Sequence, residues 1–237
     1  KFLAMYHRPW EKQTLNGGIM DLKNIEAHYE ASYLGSTSLG DFKEFVSECV
    51  RLGVGKICVP AVYLCVRDLT KVLVGSRLGI VASIGTGTET IQAKIADIVE
   101  VEQYAEILDI ALNVDLIRME MWDVIHKDVI EIALHTSSKL RFVIEVTELT
   151  DSQIIRVFDI VSSTSAGVTT GMCGLVSVYH IELLKQCIIN TKKEIELKAS
   201  GKIRNKSEII RMFDAGADVV GASSNLFRPR LLKSILE

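Results

Sequence analysis

Ile195-Glu196-Leu197-Lys198-Ala199, then Ser200-Gly201-Lys202-Ile203-Arg204, then a helical pattern over 206–215, then Asp218-Val219-Val220-Gly221: this stretch sets the reading of the fold. A short run rich in apolar and β-branched residues precedes a turn containing glycine. Ser207 and Glu208 mark the start of the helix, Gly216 stops it, and a second apolar run follows. That is one strand–helix–strand unit, and the same alternation extends back along the chain. Further expected strands are Tyr29–Leu34, Gly55–Val59, Leu78–Ile84, Val114–Met119, Leu140–Glu145 and Ile160–Ser162. The expected helices cover 41–52, 64–75, 90–112, 123–135, 150–158, 175–190, 206–215 and 225–236. Eight alternations without a composition break predict one parallel (β/α)₈ barrel, a TIM barrel. An open doubly wound sheet would announce itself with G-x-G-x-x-G after the first strand, and none is present. The barrel is assigned to 41–237, with residues 1–40 as an N-terminal segment packed on it. One interval is cramped: Asp151 to Ser162 leaves little room for a crossover, which raises the question of missing residues there.

The composition excludes several classes. The chain has 237 residues, 48% of them hydrophobic and 24% charged, so it can bury a large core and is not disordered. No apolar run reaches the length of a membrane helix, and mean hydropathy of +0.25 reflects that core. A net charge of −3 gives no electrostatic reason to expect nucleic acid or an anionic membrane. The five cysteines (49, 58, 65, 173 and 187) have neither disulfide-framework nor zinc-site spacing, and they read as buried free thiols. Lys1–Trp10 lacks the apolar core and cleavage site of a signal peptide. A reducing compartment, the cytoplasm, is the expectation. No metal and no cofactor are expected.

In such a barrel, function belongs to the C-terminal ends of the strands and the loops after them. Lys198 closes the seventh strand and can aim its amine into the mouth. Gly201 lets backbone approach a ligand, with Lys202 beside it. Gly221-Ala222-Ser223-Ser224 precedes the last helix, where free N–H groups and the helix dipole favour a phosphate. Asp115 lies in an apolar run read as the fourth strand. A buried carboxylate there is either partnered and functional or an edge or cap residue. Gly85-Thr86-Gly87-Thr88 looks like a phosphate loop but lacks the P-loop ending, so it reads as a turn. His126, His135 and His180 read as helix-face residues, and Glu120 as a pocket carboxylate.

These residues carry a resemblance. Lys198-Ala199-Ser200-Gly201-Lys202-Ile203-Arg204 resembles the K-A-S-G-G-I-R signature of deoxyribose-phosphate aldolases. Asp214–Asp218 with Gly221–Ser224 is similar to that family's A-G-A-D…G-x-S-S ending. Glu145-Val146-Thr147-Glu148-Leu149-Thr150-Asp151 resembles its E-T-x-x-L-x-D stretch, and Ile57-Cys58-Val59 its V-C-V strand. The resemblance implies a (β/α)₈ class I aldolase that cleaves 2-deoxyribose 5-phosphate through an imine on a strand-six lysine. It further implies a helper lysine on strand seven, which falls on Lys198, and a proton-moving aspartate on strand four, which falls on Asp115. The strand-six K-T-S-T-G motif falls on Ser162-Ser163-Thr164-Ser165-Ala166-Gly167 and places Ser162 or Ser163 where the lysine should be. A hydroxyl cannot form an imine, and only an iminium drains electrons from the breaking C–C bond. Lys202, Arg141 and Pro60-Ala61 also depart from the family pattern. The expectation is therefore a catalytically silent relative. Its candidate partners are a weakly held sugar phosphate or anion, a protein, or a second copy in a homodimer. The alternative is an active lyase that recruits Lys198 as its imine former.

Overall fold

The computed structural model describes residues 28–34 and 38–223. Eight strands close into a parallel barrel in sequence order: β1 (Tyr29–Ser32), β2 (Lys56–Pro60), β3 (Gly79–Ile84), β4 (Ile107–Ala111), β5 (Lys139–Val143), β6 (Gly167–Thr169), β7 (Leu197–Ser200) and β8 (Val219–Ser223), with β8 pairing back onto β1. The predicted (β/α)₈ architecture is present. Its first strand falls before Asp41, so the barrel takes in part of the N-terminal 40 residues.

Nine helices accompany the strands among the described residues: α1 (Leu39–Arg51), α2 (Val62–Cys65), α3 (Arg67–Ser76), α4 (Ile91–Val101), α5 (Val114–Arg118), α6 (Trp122–Leu134), α7 (Asp151–Ser162), α8 (Val178–Thr191) and α9 (Lys206–Asp214). The expected helix at 225–236 lies outside the described residues. No described helix is long and apolar enough to cross a membrane.

Strand residues alternate between two environments, as a period of two requires. Ile57, Val59, Ile80, Ala82, Ile84, Leu108, Ile110, Phe142, Val168, Leu197 and Val220 face outward into the main core, where they meet buried helix residues such as Phe42, Leu73, Ile98 and Phe158. The residues between them face the barrel axis. There Cys58, Val81 and Ile107 form a separate small cluster. Cys49, Cys58 and Cys187 are buried as expected, but Cys65 and Cys173 are exposed, and all five are free thiols.

Two expected strands are corrected. Residues 114–118 form α5, because the Asn113 side chain accepts the Leu116 N–H at 2.9 Å and caps a helix there. The fourth strand is Ile107–Ala111, inside the segment read as a long helix. The linker Glu102–Glu106 contains no glycine or proline to mark the change. Ile160–Ser162 is likewise helical. Thr150 and Gln153 form a capping box, and Ile154, Val157, Phe158 and Val161 keep one helical face buried to the end of α7. The sixth strand follows at Gly167, so the cramped interval disappears and no residues need be missing.

Candidate functional site

The axis of the barrel holds a closed group of charges from four strands. Lys198 on β7 places Nζ 2.5 Å from Glu30 Oε2 on β1 and 2.7 Å from Asp109 Oδ2 on β4. Arg141 on β5 grips Glu30 with two nitrogens, at 2.7 and 3.0 Å, and donates from Nε to Asp109 Oδ1 at 2.6 Å. Its Nη1 also reaches Glu196 Oε1 at 3.2 Å. All four central side chains are buried. Two cations face two carboxylates, which is what makes burial of such groups tolerable.

Each charge state is fixed by its neighbours. Burial by itself would lower the Lys198 pKa, but the Asp109 and Glu30 carboxylates outweigh it, so the shift is upward and the amine stays protonated. Burial would raise Glu30, yet Lys198 and Arg141 bring its carboxyl down to about 2. Burial lowers and the same carboxylates raise Arg141, with a net upward shift. The Cys58 thiol, enclosed in the axis, is pushed up to about 12 by burial. Two glycines make room for the long cations. A Cβ on Gly221 would lie 2.7 Å from Lys198 Cε, and one on Gly167 would lie 2.8 Å from Arg141 Cγ.

On β6, Thr169 stands in register with Lys198. It is buried, and its hydroxyl has no hydrogen-bond partner among the described residues. Its neighbour Thr170 donates to Ser200 O at 2.6 Å and accepts the Ser200 N–H at 2.9 Å, tying β6 to β7.

Above this floor lie the loops. Glu145, with φ +48°, turns its carboxylate onto the N–H groups of Met172 (2.8 Å) and Cys173 (3.1 Å). Gly201 has φ +121°, and a Cβ there would sit 2.7 Å from Gly174 O. Lys202 is exposed. Ser200 is in register with Gly221, so the loop after β7 adjoins the Gly221-Ala222-Ser223 end of β8 as the sequence suggests. Ser224 lies outside the described residues. In the loop after β3, the Glu89 carboxylate accepts from Thr86 N (2.9 Å), Gly87 N (3.1 Å) and Thr86 Oγ1 (2.9 Å), which agrees with the reading of an ordinary turn.

Two predicted positions are corrected. Asp115 sits in the first turn of α5 with its side chain 68% exposed, paired with Arg118 on the surface. The strand-four aspartate at the axis is Asp109, which the argument about a carboxylate in an apolar run would have found had β4 been placed. Ser162 is the last residue of α7, and its hydroxyl donates to Asp159 O at 2.9 Å. Helices run back from the mouth, so Ser162 lies toward the foot of the barrel, away from Lys198. On strand six the position beside Lys198 belongs to Thr169. Glu120 is exposed in the turn after α5. His126 is exposed on α6, His135 follows its last turn, and His180 caps α8 through Ser177. Sequence reasoning missed Glu30 as a site residue and did not see Arg141 as its partner. Among the described residues no group of His, Cys, Asp or Glu could hold a metal ion.

Over 201 residues the chain is 28% identical to a deoxyribose-phosphate aldolase of Clostridioides difficile, covering 80% of this chain and 87% of the relative. The similarity is to deoxyribose-phosphate aldolases. A second such relative, from Caldicellulosiruptor saccharolyticus, is 27% identical over 218 residues, 87% of this chain and 97% of its own. No family model matches the chain. Among solved structures, the aldolase QR15 superposes with a TM-score of 0.77 at 23% identity, covering 90% of this chain and 94% of its own. The tetrameric deoxyribose-phosphate aldolase of Aeropyrum pernix gives 0.74 at 17% identity, covering 91% of each. The likeness to deoxyribose-phosphate aldolases therefore extends through both sequence and fold.

Proposed function

We propose that this protein belongs to the deoxyribose-phosphate aldolase family but forms no imine and does not cleave 2-deoxyribose 5-phosphate, keeping instead a weak anion site at the loops after β7 and β8. The observation that carries this reading is Thr169, a threonine in register with Lys198 where the family resemblance calls for a lysine. Its hydroxyl has no nitrogen to offer a carbonyl carbon, so no iminium can form to accept the electrons of the breaking bond. The amine in register with it, Lys198, is an unsuitable substitute. Two carboxylates within 2.7 Å hold it as an ammonium ion, which has no lone pair for attack. Arg141 braces both carboxylates in that arrangement. Gly201, Lys202, Gly221, Ala222 and Ser223 are the residues left to hold a phosphate, and a binding or interaction role follows from them.

Borohydride trapping tests this. Reduction in the presence of 2-deoxyribose 5-phosphate would convert any imine to a stable secondary amine, read as a mass increase on one peptide. The expected spectrum shows no adduct. An adduct mapped to Lys198 would overturn the reading and establish an active lyase with a recruited lysine.

A further inference from the structure

We propose that Met172 closes the barrel mouth and restricts the entry of phosphorylated sugars. Met172 follows β6, yet its Sδ lies 3.9 Å from Ser83 Oγ on β3, three strands away around the ring. Ser83 is in register with Asp109 and shares the axis-facing side of β3 with Val81. The thioether therefore crosses the mouth to the strand edge beside the Asp109–Lys198 pair instead of lying along the rim. Beneath it the Lys198 and Asp109 side chains are only 2% and 4% exposed, although they stand where a TIM barrel opens to its ligands.

The loop that carries Met172 is held on two sides. Glu145 takes the Met172 and Cys173 N–H groups, and a Cβ on Gly171 would lie 2.6 Å from that carboxylate. Across the mouth, Gly174 O abuts Gly201 and Val176 N donates to Gly201 O at 3.3 Å. A long, unbranched thioether fills irregular space well. Here it reaches from the loop after β6 to Ser83 on β3, above the Asp109–Lys198 pair.

The proposal rests on the reading of the mouth as a residual sugar-phosphate site, so its test has two arms. Wild type, Met172→Ala, Met172→Thr and Met172→Leu are titrated by calorimetry with 2-deoxyribose 5-phosphate and, separately, with inorganic phosphate. Both shortened variants are expected to bind the sugar phosphate more tightly by about tenfold, a difference of ~1.4 kcal/mol. Met172→Leu, which keeps the bulk, is expected to match wild type, and inorganic phosphate affinity is expected to be the same in all four. Equal sugar-phosphate affinity in wild type and in whichever shortened variant folds, or no binding by any, would overturn the role of Met172. Loss of inorganic phosphate binding throughout would instead sink the anion site and leave the sugar-phosphate comparison to stand alone.

Discussion

Strands β6 and β7 lie side by side, Thr169 next to Lys198, but the two side chains live in opposite circumstances. Lys198 is held by two carboxylates, which are themselves braced by Arg141. The Thr169 hydroxyl is equally buried and has no hydrogen-bond partner among the described residues. An aldolase of the imine type needs both positions, one to attack and one to tune. Here four strands share a closed electrostatic frame around Lys198, while the β6 position beside it carries a threonine. The difference teaches that a buried charge network is held by its own energetics, whatever its neighbour does. Removing any one member leaves its buried partners one counter-charge short.

The strongest way to break the comparison is therefore on β7. Lys198→Met leaves Glu30 and Asp109 to share Arg141 in a buried site. A loss of about 3–5 kcal/mol is expected on unfolding in denaturant, the usual penalty for breaking a buried pair from one side. A loss below ~1 kcal/mol, typical of an exposed pair, would show that the network is solvated and not held together as described.

Acid provides a second probe. Glu30 has its carboxyl pKa lowered from 4.5 in the unfolded chain to about 2 in the fold. The unfolded state thus binds the proton first, so Glu30 contributes its full stability above pH 4.5 and loses it as the pH falls toward 2. Unfolding midpoints measured from pH 6 to pH 2 should fall more steeply for wild type than for Glu30→Gln. Parallel slopes would mean that Glu30 is not held ionised by Lys198 and Arg141.

A smaller effect is expected at Gly221, which permits the Lys198 side chain to pass. A methyl group there would lie 2.7 Å from Lys198 Cε, so the lysine must shift away from its carboxylates. Gly221→Ala should cost about 1–3 kcal/mol, as overpacking does. In the Lys198→Met background the same change should cost less, because the partner it crowds is no longer pinned. Equal cost in both backgrounds would place the clash elsewhere.

The fold was legible because apolar β-branched runs and helical faces alternate along most of the chain, and six of the eight strands fall where that pattern puts them. The two misplaced strands, β4 and β6, are those whose boundaries carry little local signal. Glu102–Glu106 joins a helix to Ile107 without glycine or proline, and Ile160-Val161-Ser162 reads as a strand only when the capping box at Thr150 is overlooked. Lys198, Gly201 and Gly221 were visible because their motif is contiguous. Asp109 and Thr169 were not, since each lies on a misplaced strand. Glu30 and Arg141 meet across 111 residues of sequence, a pairing that depends on barrel closure and that no local pattern contains.

The smallest expected effect sharpens the comparison from the β6 side. Thr169→Val exchanges a buried hydroxyl for a methyl group of nearly the same shape. Since that hydroxyl has no partner, the change removes a desolvated polar group and no hydrogen bond. Stability should stay level or rise by up to about 1 kcal/mol. Thr170→Val, one residue on, is the contrast. It deletes the hydroxyl that bridges Ser200 N and Ser200 O, and so should cost about 1–3 kcal/mol by leaving those groups unsatisfied. Both are measured by the same denaturant titration, with Lys198 untouched. A clear loss for Thr169→Val would mean that its hydroxyl has a partner in solution, most simply a water reaching it from the mouth. The axis would then be open to solvent beneath Met172, and the contrast between an idle β6 and an engaged β7 would fail.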